Sequence, residues 1–203
     1  MPNETESPRL TARFNEALTY AANKHKTQVR KGGDIPYVGH LLSVAGLVIE
    51  AGGTETQSIA ALLHDAAEDQ GGTETLAEIR SEFGEDVARI VGECSDTFEE
   101  PKPAWRPRKE SYIEHLDDVS DETILVSLAD KLDNARAILR DLRNEAPSLW
   151  ERFSEKDPRE HLWYYTELAD RYESRSNNWM IDELKRTIAL IEREVSSTND
   201  ALA

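Results

Sequence analysis

Apolar residues recur at every third or fourth position along almost the whole of this 203-residue chain. A repeat of about 3.6 residues is typical of amphipathic helices, whereas half-buried strands alternate apolar and polar residues. A long helical segment runs from Ile124 to Leu142, with Ser120 placed to cap it, and no convincing segment has the period of a strand. The pattern predicts an all-α fold, a single helical bundle of about nine or ten helices.

The same pattern sets the expected limits of the folded domain. We assign residues 9–195 to one domain, because 203 residues suffice for one sizeable core and are marginal for two. Residues 1–8 and 196–203 lie outside it, and we expect both ends to be flexible. Three prolines between Thr97 and Pro107 predict a loop within the domain.

The charge balance limits the partners of the chain. It carries 24 Lys and Arg against 40 Asp and Glu, a net charge of −16. This charge repels nucleic acids and anionic membranes, so we expect neither as a partner. No run approaches the roughly 20 apolar residues of a membrane span, and the single cysteine, Cys94, cannot form an intramolecular disulfide. We therefore expect a cytoplasmic protein, in which a bound phosphorylated anion would need a cation or clustered Lys and Arg.

A histidine and three acids interrupt an apolar segment in the run AALLHDAAEDQ, residues 60–70. On a helix, residues four apart stack one turn above each other, so His64 pairs with Glu68, and Asp65 with Asp69. Buried imidazoles and acids need partners, and a divalent metal is one such partner. Alternatively, His64 and Asp65 form an ordinary structural pair, and the two later acids form a solvated helix end.

Two further residues complete a set of metal ligands. His40 follows a Gly- and Pro-rich turn at the start of an apolar helix, and Asp130 lies on the apolar face of the long helix. An unpaired carboxylate is costly in that position. With His64 and Asp65 they provide two imidazoles and two carboxylates, a set that suits Mn²⁺, Fe²⁺ or Zn²⁺ with positions open for water and a phosphate oxygen. Without a thiolate, a closed structural zinc site is not expected.

Four ordered motifs resemble a known family. The order His, then His-Asp, then Asp resembles the metal signature of HD-domain proteins, and the longer motifs resemble the hydrolase domain of Rel/Spo-type alarmone enzymes. No synthetase motif follows in this sequence, so the chain is similar to the stand-alone small alarmone hydrolases. The motifs are QVRKGG at 28–33, PYVGH at 36–40, HDAAED at 64–69 and ADKLDN at 129–134.

This resemblance implies a Mn²⁺-dependent 3′-pyrophosphohydrolase that converts (p)ppGpp or (p)ppApp to GDP/GTP or ADP/ATP and pyrophosphate. The residues implied to bind the metal are His40, His64, Asp65 and Asp130. Those implied to position and activate the attacking water are Glu68 and Asp69. Those expected to contact the nucleotide or add positive charge near it are Arg30, Lys31, Tyr37, Asn134 and Arg136.

Two positions depart from the family pattern. Asp133 stands where relatives often have an aromatic residue or a histidine, and Ala137 replaces a small hydroxyl residue that can contact the base. Either change could alter the purine preference, so guanine and adenine alarmones both stay open as substrates.

Two other functions remain open from the sequence. A related HD enzyme could remove the 2′-phosphate of NADPH or act on other nucleotides. A non-hydrolysing alarmone-binding or antitoxin-like protein could keep the same ligands, although the retention of Glu68 and Asp69 argues against it.

Several other residues have competing interpretations. Arg30 and Lys31 could belong to an ordinary surface turn. The segment WRPRKESY, residues 105–112, could be a cationic lid or a loop fixed by tryptophan packing. We expect Trp163–Tyr165 to serve core and subunit contacts, which allows a homodimer. The histidines expected to be structural or exposed are His25, His115 and His161.

Overall fold

The computed structural model describes residues 10–98, 101–145 and 148–202. This part of the chain forms ten α-helices and one 3₁₀ helix, and its only strand-like pairing is a single bridge between Val29 and Pro36. The all-α prediction is confirmed. The helices are α1 (Ala12–Lys24), α2 (Val38–Glu50), α3 (Glu55–Leu63), α4 (Ala66–Asp69), α5 (Gly72–Phe83), α6 (Glu85–Cys94), α7 (Trp105–His115), α8 (Asp121–Glu145), the 3₁₀ helix (Ser148–Arg152), α9 (Pro158–Arg175) and α10 (Trp179–Leu202).

The C-terminal helix extends further than the sequence pattern indicates. Helix α10 continues to Leu202, beyond residue 195, where we placed the end of the domain. The flexibility expected for residues 196–203 stays a prediction. The N-terminal segment 1–8, also predicted to be flexible, lies outside the described residues.

The proline-rich loop is shorter than predicted. Helix α7 already begins at Trp105, so Pro107 lies in its first turn rather than in the loop. Proline is tolerated there, because the first N–H groups of a helix have no acceptor within the helix. Residues 99–100 of this loop are outside the described part of the chain.

Helix α8 is the central element of the bundle. Helices α2, α3, α6, α9 and α10 all pack against it. Ser120 caps its first turn, since the serine hydroxyl accepts from the N–H of Thr123 at 3.3 Å, as predicted. Leu128 and Leu132 on its core face are fully buried. The polar residues of α8 are therefore carried on a rigid support.

Helix α3 is buried from Gln57 to its end, and the chain turns immediately after it. We placed His64 and Glu68 on one helix, but the helix is interrupted between Leu63 and Ala66. His64 and Asp65 form a turn, and α4 starts after them. The His64 ring places Nδ1 2.8 Å from the carbonyl oxygen of Ala61, and such a side-chain contact competes with the helical hydrogen bond to that oxygen.

Across the described ranges, none of the helices combines the length and the apolar character that a membrane crossing requires.

Candidate metal centre and substrate cavity

Four predicted site residues meet where α2, α8 and the turn after α3 come together. His40 lies in the first turn of α2, Asp130 lies on α8, and His64 and Asp65 form the turn. Nε2 of His64 is 2.9 Å from Oδ2 of Asp65 and 3.5 Å from Oδ1 of Asp130. Nε2 of His40 is 3.5 Å and 3.2 Å from the same two oxygens. These four side chains, the ligand cluster, therefore surround one point.

The chemistry of the ligand cluster fits a divalent cation. Nε2 of His40 and Nε2 of His64 are buried, and neither makes a hydrogen bond within the described residues. A buried nitrogen in this state is costly unless it meets another ligand. One donor atom each from His40, His64 and Asp65 lies within 4.8 Å of the others. This mixed nitrogen and oxygen set can bind a divalent metal ion.

The carboxylates of the ligand cluster favour positive charge among them. Burial lowers the pKa of His40, but its contacts with the carboxylates of Asp130, Asp133 and Asp65 outweigh this effect and raise the pKa to about 9. Burial likewise opposes protonation of His64, yet the charge of Asp65 and contacts with Asp130 hold its pKa well above the usual value. A field that stabilises protonated imidazoles also stabilises a metal cation bound to neutral ones.

Both carboxylates of the ligand cluster are held by further contacts. The Tyr37 hydroxyl donates to Oδ2 of Asp65 at 2.6 Å. The amide of Asn134 donates to Oδ1 of Asp130, and the Lys131 ammonium donates to its Oδ2, both at 2.5 Å. Tyr37 and Asn134, which we predicted to touch the nucleotide, thus support the ligand cluster, and their contact with the nucleotide stays a prediction.

Both imidazoles are held through Nδ1. The carbonyl of Ala61 lies 2.8 Å from Nδ1 of His64, and Oδ2 of Asp133 lies 2.6 Å from Nδ1 of His40. We had linked Asp133 to purine preference, but its side chain contacts His40 and is not part of the cavity lining. Ala137, the other departure from the family pattern, does line the cavity.

A cavity of about 850 Å³ opens beside the ligand cluster, within the size range of small-molecule sites. Its lining includes six Lys and Arg and seven Asp and Glu, nearly a balance, whereas the whole chain carries −16. Positive charge is therefore concentrated at this cavity. The six cations are Arg30, Lys31, Lys102, Arg108, Lys109 and Lys131.

Glu68 and Asp69 end α4 and line the cavity next to the ligand cluster. Both oxygens of Glu68 accept hydrogen bonds at 2.8 Å, one from the Lys102 ammonium and one from the N–H of Asp96. Oδ2 of Asp69 accepts from Gln28 at 2.8 Å, and within the described residues its Oδ1 has no hydrogen-bond donor. Burial, followed by neighbouring negative charge, raises the pKa of Asp69.

Arg30 and Lys31 reach the cavity from a tight turn between α1 and α2. The turn depends on Gly32, whose φ of 78° is a conformation that glycine adopts readily. Nη2 of Arg30 donates to Oδ1 of Asn134 at 2.9 Å, and its guanidinium carbon is 5.8 Å from the centre of the Tyr37 ring. This turn is therefore tied to the ligand cluster through two side chains that also contact its carboxylates.

Arg136 is the predicted substrate residue that the structure places away from the cavity. It is exposed and donates to Glu183 of α10 at 3.1 Å. At about 100° per residue, Arg136 is rotated about 240° from Asp130 around the helix axis, on a different face. Asn134 and Ala137, rotated by about 40° and 340°, face the cavity. Rotation around α8 thus separates Arg136 from the other predicted residues.

Lys102, just before α7, and Arg108 and Lys109 on α7 form the cationic wall of the cavity, and α7 is the segment that we considered as a lid. Nζ of Lys109 is 2.8 Å from Oδ2 of Asp96, and Arg108 contacts the same carboxylate. Burial, together with repulsion from Lys131 and Arg108, lowers the pKa of Lys109 well below its usual value. An anion in the cavity would relieve that repulsion. Sequence reasoning missed Lys102, and it missed the pairing of Arg108 and Lys109 with Asp96. The two partners of each pair are separated along the chain.

The remaining histidines lie outside the ligand cluster. His25 caps α1 and stacks on Tyr37 with 5.3 Å between ring centres, and His115 is exposed at the end of α7. His161 packs against Trp105, with ring centres 5.4 Å apart, and also lines the cavity. The tryptophan thus anchors the start of the cationic wall.

Comparisons with known proteins identify the family. The HD domain family matches residues 17–159. The Xenopus tropicalis protein named guanosine-3′,5′-bis(diphosphate) 3′-pyrophosphohydrolase MESH1 is 41% identical over 157 residues, covering 76% of this chain and 81% of the relative. The human protein of the same name is 40% identical over 142 residues, covering 68% of this chain and 74% of the relative.

Solved structures share this fold. One, described as a metazoan ortholog of SpoT that hydrolyzes ppGpp, has a TM-score of 0.72 and 32% identity, covering 88% of this chain and 95% of that chain. The structure of lmo0812 from Listeria monocytogenes EGD-e has a TM-score of 0.64 and 33% identity, covering 75% of this chain and 97% of that chain. The matched residues, the relatives and the ligand cluster agree with one another, and together they show that the chain belongs to the HD-domain family.

Proposed function

We propose that this chain is a metal-dependent 3′-pyrophosphohydrolase of alarmone nucleotides. It would convert (p)ppGpp or (p)ppApp to the corresponding 5′-nucleotide and pyrophosphate. The observation that carries this proposal is the arrangement of the cavity, which is bordered by the ligand cluster, two further acids and the cationic wall. The relatives named for ppGpp hydrolysis, which the chain matches over most of their length, support the same reaction.

The ligand cluster would hold the metal through His40, His64, Asp65 and Asp130. We propose Mn²⁺, with Fe²⁺ and Zn²⁺ as alternatives. A bound divalent cation would polarise a phosphoryl oxygen and favour ionisation of a nearby water molecule. The protein holds the ligands in place before the metal binds, because Tyr37 and the other residues that contact the ligands fix their orientation.

Asp69 and Glu68 would position and deprotonate the attacking water. Gln28 fixes one oxygen of Asp69 and leaves the other available, and the raised pKa of Asp69 makes it a stronger base than an ordinary aspartate. Glu68 would orient the water from a position fixed by Lys102. The water oxygen attacks the phosphorus bonded to the ribose 3′-oxygen and that P–O bond breaks. Asp69 takes the water proton, and the 3′-oxygen gains a proton from solvent.

The cationic wall would bind the phosphates of the nucleotide. Lys109 of the wall and the neighbouring Lys131 of α8 are half-buried beside the cavity, where charge-assisted contacts to phosphate oxygens are strong. Arg30 and Tyr37 together offer a surface on which a purine could stack. Lys31 and Asn134 complete the proposed substrate contacts, and Arg136 is excluded from them by its position on α8.

A substrate panel tests the proposal. Purified protein is stripped with a chelator, reloaded with Mn²⁺ and incubated separately with ppGpp, ppApp and NADPH. Ion-exchange chromatography should then show pyrophosphate with GDP or ADP. Orthophosphate from NADPH alone would instead support a 2′-phosphatase, and tight alarmone binding without products would support a binding protein.

We also propose that the protein forms a homodimer and is located in the cytoplasm. Trp163 of α9 is partly exposed beside the buried Tyr164 and Tyr165, so a homodimer would use this part of α9. Sedimentation velocity tests for the dimer, and cell fractionation tests the cytoplasmic location expected from the composition.

A further inference from the structure

Asp133 lies on α8 one turn after the proposed ligand Asp130, on the same side of the helix. Its Oδ2 is 2.6 Å from Nδ1 of His40, while Oδ1 of Asp130 is 3.2 Å from Nε2 of the same ring. Within the described residues, Asp133 forms no other hydrogen bond or ion pair. The His40 side chain is 1% exposed and that of Asp133 is 21% exposed. Two carboxylates of one helix therefore contact the two nitrogens of one buried ring.

The contact with Asp133 determines which nitrogen of His40 can bind a metal. A neutral imidazole carries one proton, and an ionised carboxylate can only accept a hydrogen bond. The proton therefore lies on Nδ1, and the lone pair of Nε2 points toward Asp65 and Asp130. The negative charge of Asp133 also makes the ring a stronger electron donor at Nε2.

His64 provides an internal comparison for this arrangement. Its Nδ1 faces a backbone carbonyl, that of Ala61, at 2.8 Å. Both contacts select the same tautomer, but the partner of His64 is neutral and belongs to the main chain. Only the partner of His40 carries a full charge, and only that partner can be removed by substitution.

We infer that Asp133 is a positioning residue for the metal centre, which holds the His40 ring with Nε2 toward the ligand cluster and strengthens binding of a divalent cation. The inference rests on the proposed ligand set. Asp133 is absent from the cavity lining, so its expected effect is on metal affinity rather than on the affinity for the nucleotide.

Metal titration of paired variants tests this role. Asp133→Leu removes the acceptor, whereas Asp133→Asn keeps an acceptor oxygen and removes the charge. Asp141→Leu is a matched control, because Asp141 is also on α8, has a side chain 23% exposed, and contacts Arg140 and Arg152 rather than a ligand. Each metal-free protein is titrated with Mn²⁺ and with Zn²⁺ at fixed pH, in competition with a chromophoric chelator.

We expect Asp133→Leu to raise the Kd for the metal by about ten- to a hundredfold. Loss of the residue that contacts a metal-bound histidine typically lowers metal affinity by such a factor. Asp133→Asn should lie between this variant and wild type, and Asp141→Leu should remain within about twofold of wild type. Long-range proton–nitrogen NMR of the Zn²⁺-loaded wild-type protein should place the His40 proton on Nδ1.

Three results would overturn the inference. They are a wild-type Kd for Asp133→Leu, an equal loss of affinity in Asp141→Leu, and a His40 proton on Nε2. If Asp133→Leu does not fold, Asp133→Asn decides, and an unchanged Kd in that variant overturns the inference. A wild-type protein that binds no divalent metal would instead overturn the proposed function, so the two failures can be distinguished.

Discussion

The ligand cluster and the cationic wall, which border the same cavity, differ in how firmly their side chains are held. In the ligand cluster, the side chains of His40 and Asp130 are 1% and 7% exposed, and each has a second partner. On the wall, the side chain of Lys102 is 42% exposed and pairs with Glu68. Buried, fully supported groups suit a fixed metal geometry, whereas an exposed cation such as Lys102 suits an anion that arrives and leaves. Substitutions in the cluster should therefore abolish function, and those in the wall should reduce it by degrees.

Removal of a metal ligand should have the largest effect. His64→Ala is expected to lose bound Mn²⁺ and to lower kcat by about a thousandfold or more, because a catalytic metal contributes several kcal/mol. Metal analysis by mass spectrometry and steady-state kinetics on ppGpp measure both effects. The exposed His115→Ala is the matched control and should resemble wild type. A His64→Ala protein that retains stoichiometric metal would refute the ligand assignment.

Loss of a water-handling acid should separate chemistry from metal binding. Glu68→Gln is expected to keep the metal and lower kcat by about a hundredfold, within the range of general acid–base contributions. The same metal analysis and kinetics apply, with the exposed Glu74→Gln of α5 as control. Wild-type turnover in Glu68→Gln would show that this acid does not handle the water.

A cation in the cavity should affect binding more than turnover. Lys31→Ala is expected to raise KM about tenfold with little change in kcat, because a charge-assisted hydrogen bond contributes about 1.5 kcal/mol or more. Initial rates over a range of ppGpp concentrations separate the two constants. Arg136→Ala is the control, since that side chain faces Glu183 instead of the cavity. An equal rise in KM for Arg136→Ala would contradict its placement.

The smallest effect is expected on folding stability. Lys102→Ala breaks a half-exposed ion pair with Glu68, and such pairs change the free energy of unfolding by less than about 1 kcal/mol. Urea unfolding monitored by circular dichroism gives this free energy. A loss of several kcal/mol would show that the cationic wall is as integral to the fold as the ligand cluster.

Sequence patterns predicted the architecture and the residues of the ligand cluster for physical reasons. Helical periodicity identifies helices because one face must be buried, and Asp130 stood out because a carboxylate on an apolar face needs a partner. The structure brings the four predicted ligands together, and their role as metal ligands stays a proposal.

Other features depend on contacts that a single sequence does not contain. Asp133 was visible one turn from Asp130, but its contact with His40 depends on how α2 packs against α8. The end of α3 at Leu63 depends on the contact between Nδ1 of His64 and the carbonyl oxygen of Ala61 in the preceding turn. Lys102 meets Glu68 across 34 positions of sequence, a pairing that no local pattern indicates. The error on Arg136 was avoidable, because helix geometry alone turns it away from Asp130.

Hydrolysis in ¹⁸O-labelled water tests most directly whether the cavity delivers water to phosphorus. The Mn²⁺-loaded protein is given ppGpp in labelled water, and the products are examined by mass spectrometry at low conversion. We expect one ¹⁸O atom in the released pyrophosphate and none in GDP. Label in the ribose hydroxyl, release of orthophosphate in place of pyrophosphate, or no product in the presence of bound metal would contradict it.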